Sequence, residues 1–163
     1  MKKRILAIMA VLFVVVLATG CFGDPVKSDL EDYIKFEQST QQEALDFNAN
    51  FMAKANTAAN KEEAVQILTD GAQKLGEITD KQKNYKPKTK EVQDIHAKSV
   101  QVLETTLQSL NDMRDALQND TFSKETLKKF QNTQVEAANL TKDYYNDISK
   151  LGAEKKVEVK MGK

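Results

Sequence analysis

This chain of 163 residues has a single thiol and a single imidazole, which are the most reactive side chains for covalent attachment and for binding transition-metal ions. Cys21 is the only cysteine and His96 is the only histidine. A lone thiol cannot form a disulfide within its own chain, but it can accept another covalent group. Cys21 directly follows an apolar run and the small residues Thr19 and Gly20, so its surroundings indicate which group that is.

The first 20 residues have the order of an export signal. The basic residues Lys2, Lys3 and Arg4 precede residues 5–18, none of which has a polar side chain. A helix of that length reaches only about 21 Å, whereas the hydrocarbon core of a bilayer is roughly 30 Å thick. The sequence therefore favours a secretion signal over a membrane-spanning helix.

The segment Leu17-Ala18-Thr19-Gly20-Cys21 resembles the lipobox of bacterial lipoproteins. Gly20 and Cys21 match its most constrained positions, whereas Ala18 stands where such motifs usually have leucine. The resemblance implies cleavage after Gly20, so that residues 1–20 are the signal peptide. It also implies a diacylglyceryl group on Cys21, with fatty acyl chains such as palmitate, and a location at the extracytoplasmic face of the cell membrane. Two acyl chains are enough for stable anchoring. A buried structural thiol and an uncleaved signal anchor are the alternatives.

Charge argues against a general nucleic-acid binder. The chain has 24 basic and 24 acidic residues, and three of the basic ones precede the apolar run. The mature part therefore has a small excess of acidic residues. Lysine greatly outnumbers arginine, a usage that resembles that of low-GC Gram-positive bacteria.

No pattern in the sequence predicts catalysis. There is no Glu-x-x-His pair, no glycine-rich phosphate loop and no Gly-x-Ser-x-Gly turn. His96 lies four residues from both Val92 and Val100, so we expect it at the edge of an apolar helix face. We predict a non-enzymatic protein without a cofactor or a metal site. Carboxylates brought together by folding are the open alternative.

Four helices must position these residues. Apolar side chains recur at steps of three and four, which predicts four helices. The first starts at Asp24-Pro25, with Ser28 to Glu31 as a second capping option, and runs to about Asn56. The second starts at Asn60 with Glu63 three residues on, the third follows the turn at Pro87, and the fourth runs from the cap Ser123 to Gly152. The short connections favour an all-α fold, an antiparallel up-down four-helix bundle over residues 25–152. Residues 21–24 would be a short tether, and residues 153–163 a flexible basic tail.

A lysine-rich segment separates the second and third helices. It contains Lys81, Lys83, Lys86, Lys88 and Lys90. Such a segment is ordinarily a solubilising turn. If Cys21 is acylated, however, up-down topology places it at the membrane end, where it is a candidate contact with anionic lipid or wall polymer. The opposite end would then collect acidic residues, namely Glu62, Glu63, Asp112, Asp115 and Asp120.

Small residues near the middle of each helix favour either close helix packing or a small cavity. They are Thr40, Ala44, Gly71, Ala72, Thr105, Thr106, Thr133 and Ala137. We therefore expect an interaction or binding module at the cell envelope that contacts another envelope protein or wall polymer. The alternative is a sensing or ligand-binding bundle with a central cavity.

Overall fold

The computed structural model describes residues 23–160, so Gly20 and Cys21 lie outside the described residues. Within that range the protein is all-α, as the sequence predicts, and contains no strand. Helix α1 is Pro25–Ala55, α2 is Lys61–Asn84, α3 is Lys90–Gln118 and α4 is Lys124–Lys155. The helices pack on one another, and α1 contacts each of the other three.

Side-chain caps set the starts of three helices where the sequence predicts them. Asp24 Oδ1 accepts a hydrogen bond from the backbone nitrogen of Val26 at 3.0 Å, ahead of Pro25 in the first turn of α1. Asn60 Oδ1 accepts from the backbone nitrogen of Glu63 at 2.8 Å. Ser123 and Thr126 form a reciprocal capping box at α4. Each cap satisfies a backbone donor that the helix itself leaves unpaired.

Helix α3 is capped from another helix. The side chain of its N-cap residue, Thr89, makes no capping bond of its own. Instead Asp29 of α1 accepts from the backbone nitrogens of Lys88 at 2.9 Å and Thr89 at 2.7 Å, and from Thr89 Oγ1 at 2.7 Å. Asp29 is 1% exposed. A carboxylate is favourable at a helix N-terminus, so this contact ties the α2–α3 loop to α1.

The end of α4 differs from the prediction. The helix continues through Gly152 to Lys155, and Lys156 stops it in the left-handed conformation with φ 55°. The chain then folds back: a Cβ on Gly152 would collide with Cγ2 of Val159, and the Gln38 side chain donates to the carbonyl of Lys160 at 2.8 Å. Gly152 therefore leaves room for the returning chain and does not end the helix.

Two apolar cores lie between the helices. The large core consists of Leu30, Tyr33, Ile34, Val92, Ile95, Tyr144, Ile148 and Leu151, with partly buried neighbours that include Phe36, Tyr85, Val157 and Val159. The small core consists of Leu68, Ala72, Leu75 and Leu110, with partly buried neighbours that include Phe47, Phe51, Leu103 and Leu107. The large core contains the start of α1 and the end of α4.

The outer helices are packed along only part of their length. The buried residues of α1 all lie between Asp29 and Glu37, and those of α4 all lie at or after Ala137. Residues 41–55 and 124–136 contain no buried side chain. The buried residues of α3, in contrast, extend from Val92 to Ala116, and those of α2 extend from Leu68 to Gln82.

Candidate ligand cavity between the two cores

Polar side chains separate the two cores. Glu37 follows Tyr33 of the large core by one turn of α1 and precedes Phe47, which packs on the small core. Gln82 of α2 and Ser99 of α3 occupy corresponding positions on their helices. The three side chains are joined, because the amide nitrogen of Gln82 donates both to Glu37 Oε1 and, at 2.9 Å, to Ser99 Oγ.

Glu37 is the acidic group of this layer and is 7% exposed. Burial removes water from the carboxylate and raises the pKa of Glu37 above its ordinary value, although hydrogen bonds from Tyr33, Gln82, Ser99 and Tyr144 oppose the shift. A buried carboxyl group is costly unless its oxygens are hydrogen-bonded. Side chains from all four helices therefore hold Glu37 in place.

Tyr33 and Tyr144 of the large core donate hydrogen bonds from their hydroxyl groups to the polar layer. Burial raises the pKa of both Tyr33 and Tyr144, and the nearby charge of Glu37 raises both further. Both phenols are therefore neutral at physiological pH and keep their protons. Their hydroxyl oxygens are 3.5 Å apart, so the pair links α1 to α4 above the large core.

A cavity of about 140 Å³ adjoins Glu37. All four helices contribute to its wall. Its polar lining includes Glu37, Thr40, Gln82, Ser99 and Thr141, and its apolar lining includes Ala44, Ile78, Val102, Leu103 and the tyrosine rings at 144 and 145. One buried carboxylate, several hydroxyl groups and an apolar wall are the ingredients of a binding site for a small organic molecule.

Only some of the small residues near the middle of the helices line this cavity. Thr40 and Ala44 line the cavity. Gly71 instead lies under Phe51, whose Cε2 would be 2.6 Å from a Cβ at that position, so there the small residue serves close packing. Thr105 and Thr133 line a groove at the surface between α3 and α4. The small residues of different helices therefore do not meet at one height.

His96 is buried inside the large-core end, whereas the sequence predicts it at the edge of an apolar face. It is 8% exposed, and its ring lies 5.6 Å from that of Tyr33 and 5.8 Å from that of Tyr85. Burial lowers the pKa of His96, and the charge of Lys86 lowers it further. His96 does not line the cavity, and its Nδ1 has no hydrogen-bond partner among residues 23–160.

The five lysines that the sequence predicts to contact an anionic surface each interact with another group of the protein. Four have acidic partners: Lys81 with Glu43 at 2.7 Å, Lys83 with Glu104 at 2.6 Å, Lys88 with Asp32 at 3.0 Å, and Lys90 with Asp94 at 2.8 Å. Lys86 donates to the backbone carbonyl of Lys83 at 2.7 Å. The segment therefore carries much less unbalanced positive charge than its sequence indicates.

Glu37 and Gln82 of the polar layer are not among the site residues predicted from the sequence. Glu37 occupies the position between Tyr33 and Thr40 on a face that otherwise consists of apolar and small side chains. Gln82 continues the face of Leu75 and Ile78 in the same way. A polar residue within an apolar stripe is the signal that could have identified both, because such a residue is buried by its neighbours and needs partners.

Comparisons of the chain with protein-family models, with curated proteins and with solved structures give no significant match. Between residues 23 and 160, no helix combines the length and apolar character needed to cross a bilayer. The same residues contain no group of three or more His, Cys, Asp or Glu side chains that could hold a metal ion. The functional interpretation therefore depends on the residues of this chain alone.

Proposed function

We propose that the protein is a non-enzymatic binding module, anchored to the extracytoplasmic face of the cell membrane through a diacylglyceryl group on Cys21, and that the cavity beside Glu37 is its ligand site. The observation that carries the proposal is the cavity itself, which joins a buried carboxylate to an apolar wall. Glu37 is the sole carboxylic acid among the residues of the range 23–160 that line the cavity, and His96 is not one of them. A single acid without a second acid or base favours binding over catalysis.

The proposal includes an antiparallel, up-down arrangement of the four helices. Contacts between helix ends support it: Lys155 at the end of α4 lies 2.8 Å from Asp24 at the start of α1, and Lys61 at the start of α2 pairs with Asp120 just after α3. Asp29 in turn joins the start of α1 to the α2–α3 loop. The large core then lies at the end nearest to Cys21, and the small core at the far end.

This arrangement fixes the position of the ligand site relative to the membrane. Glu37 lies 13 residues after Asp24 in one continuous helix, which corresponds to about 20 Å. Cys21 precedes Asp24 by three residues. The cavity is therefore held outside the lipid headgroups, within reach of solutes in the cell envelope.

A contact with anionic lipid or wall polymer has less support. Acidic side chains within 3.0 Å neutralise four of the five lysines on which that contact would depend.

The far end instead favours a second proposal, an envelope protein partner. Large apolar side chains are exposed there, including Leu45 at 51%, Met52 at 50%, Phe122 at 45% and Leu127 at 42%. Crosslinking in intact cells, with Met52 replaced by a photoreactive analogue, would identify such a partner.

Metabolic labelling tests the anchor. Cells that express the full chain are grown with an alkyne-bearing palmitate analogue, and the protein is then examined for label and for its distribution between membrane and soluble fractions. We expect a labelled, membrane-bound wild-type protein and no label on Cys21→Ser. An unlabelled wild-type protein, or a Cys21→Ser variant with undiminished label, would contradict the anchor at this residue.

A further inference from the structure

We propose that the cavity binds a small organic amine in its protonated form, with the ammonium group against Glu37 and its carbon skeleton against the apolar wall. This inference rests on the proposed function, because it names the ligand class of the same cavity. The proposal is based on the buried carboxyl group of Glu37, the direction in which neighbouring hydroxyl groups donate, the two tyrosine rings at the cavity, and the cavity volume.

The carboxyl group of Glu37 has no cationic partner among residues 23–160. None of the ion pairs between residues 23 and 160 includes Glu37. The partners of Glu37 are neutral donors from Tyr33, Gln82, Ser99 and Tyr144. Glu43, less than two turns further along α1, is held by two lysines, Lys74 and Lys81. A cation in the cavity would favour the ionised form of this buried carboxyl group, so the site is suited to a cationic ligand.

The nearby threonines offer acceptors to a ligand. Thr40 Oγ1 donates its hydrogen to backbone carbonyls of α1, at 3.1 Å to Glu37 and 3.3 Å to Phe36. Thr141 Oγ1 donates to the carbonyl of Ala137 at 2.8 Å. Each hydroxyl has one hydrogen, so both groups present only lone pairs to the cavity that they line. A ligand with several N–H donors complements these oxygens and the Glu37 carboxylate together.

Two aromatic rings complete the site. Tyr144 and Tyr145 both line the cavity, with ring centroids 5.3 Å apart in a T-shaped arrangement. Tyr145 is 38% exposed, so its ring reaches from the cavity to solvent. The face of a tyrosine ring attracts an ammonium group, and its edge packs on hydrocarbon.

The cavity volume limits the size of the amine. At about 140 Å³ it is close to the roughly 150 Å³ of an engineered cavity that accepts benzene. The carbon skeleton of the ligand is therefore about the size of one six-membered ring. Benzylamine, benzyl alcohol and benzoate are suitable probes, because they share a ring of this size and differ in charge.

Calorimetric titration of the full-length chain in detergent with these three probes tests the proposal. We expect benzylamine to bind most tightly to the wild type, and Glu37→Gln to weaken benzylamine at least tenfold while changing benzyl alcohol less than about twofold. Glu31→Gln is the matched control, since Glu31 is an exposed glutamate of the same helix, and it should leave all three affinities unchanged. Ala44→Leu fills the cavity and should abolish the binding of every probe.

The outcomes separate the ligand class from the binding function. If benzyl alcohol or benzoate binds at least as tightly as benzylamine, and Ala44→Leu removes that binding, the amine proposal is overturned and the ligand cavity stands. If no probe binds the wild type, or if Ala44→Leu leaves binding intact, both proposals are overturned. Should Glu37→Gln fail to fold, Thr141→Val replaces it. Thr141→Val removes the hydroxyl acceptor at the cavity without changing the charge of the protein. An unchanged benzylamine affinity in this variant would count against binding in the cavity.

Discussion

Leu30 and Leu45 are leucines of the same helix in two very different surroundings. Leu30 is fully buried in the large core, whereas Leu45 is 51% exposed near the small core. The difference extends to the whole domain, because α1 and α4 have buried residues only towards the large core. At the other end, α2 and α3 pack together while the outer helices stay half-exposed.

This difference indicates that one end of the domain provides stability and that the ligand site lies beside it. The large core joins the start of α1, the α2–α3 loop and the returning chain after α4, so it is expected to supply most of the stability. The polar layer and its cavity lie where that core ends. The side chains of the site are held in place by the large core. The less tightly packed helices on its other side leave a route for a ligand to enter.

Two leucine substitutions test this difference most strongly. Leu30→Ala leaves a cavity in the large core and should lower the free energy of unfolding by about 3 kcal/mol. Leu45→Ala removes the same atoms from a half-exposed position and should cost less than about 0.5 kcal/mol. Denaturant unfolding of both variants measures the two values. Equal losses would show that the two ends contribute alike.

The second largest loss of stability is expected from breaking the contact between α1 and the α2–α3 loop. Asp29→Ala removes the acceptor of three hydrogen bonds, so we expect a loss of about 2 kcal/mol in the free energy of unfolding. Asp32→Ala, one turn further on, removes only the partly exposed pair with Lys88 and should cost at most about 0.5 kcal/mol. A comparable loss from the two variants would contradict a capping role for Asp29.

The carboxyl group of Glu37 makes the stability of the middle layer depend on pH. Its pKa in the folded protein is raised above the ordinary 4.5, so the folded state binds this proton more tightly than the unfolded state does. Stability from this group is thus greatest below that value and is lost as pH rises through the folded pKa.

Relative to Glu37→Gln, the wild type should therefore become less stable as pH rises above about 4.5, by about 1.4 kcal/mol for each unit by which the pKa is raised. Unfolding of both proteins from pH 4 to pH 8 gives the difference directly. A gap that stays constant over this range, or that grows in favour of the wild type, would show that burial does not raise this pKa.

The smallest expected effect concerns the returning chain. Gly152→Ala places a methyl group against Val159 and should displace residues 157–160, with a cost of at most about 1 kcal/mol because a better helix former partly offsets it. Gly76→Ala has open space at its Cβ and should stabilise α2 slightly. Amide hydrogen exchange at Val159 follows the displacement, which should occur in the first variant alone.

Periodicity and caps predict the helices well because those signals are local. Asp24, Asn60 and Ser123 cap their helices as their sequence context indicates. The end of α4 was not predictable in this way, since Gly152 is needed for a contact with Val159, and α3 is capped by a residue about 60 positions away. The candidate site depends on such distant contacts throughout, because Glu37, Gln82 and Thr141 meet only after folding.

The lysine-rich segment illustrates the same limit. Its composition indicates a basic surface, but the acids that neutralise it belong to α1 and α3. Charge along a sequence therefore overstates the charge of a surface when the partners are remote in the chain. The apolar stripe of α1, with one glutamate inside it, was the more informative pattern.

The most direct test of the ligand site is an NMR titration of the isotopically labelled full-length chain with benzylamine. We expect amide and methyl shifts concentrated at the cavity, on Thr40, Ala44, Val102, Thr141 and Tyr145, with residues at the far end, such as Met52 and Phe122, unaffected. Saturable shifts confined to the far end or to the lysine-rich segment, with the cavity residues unchanged, would contradict it.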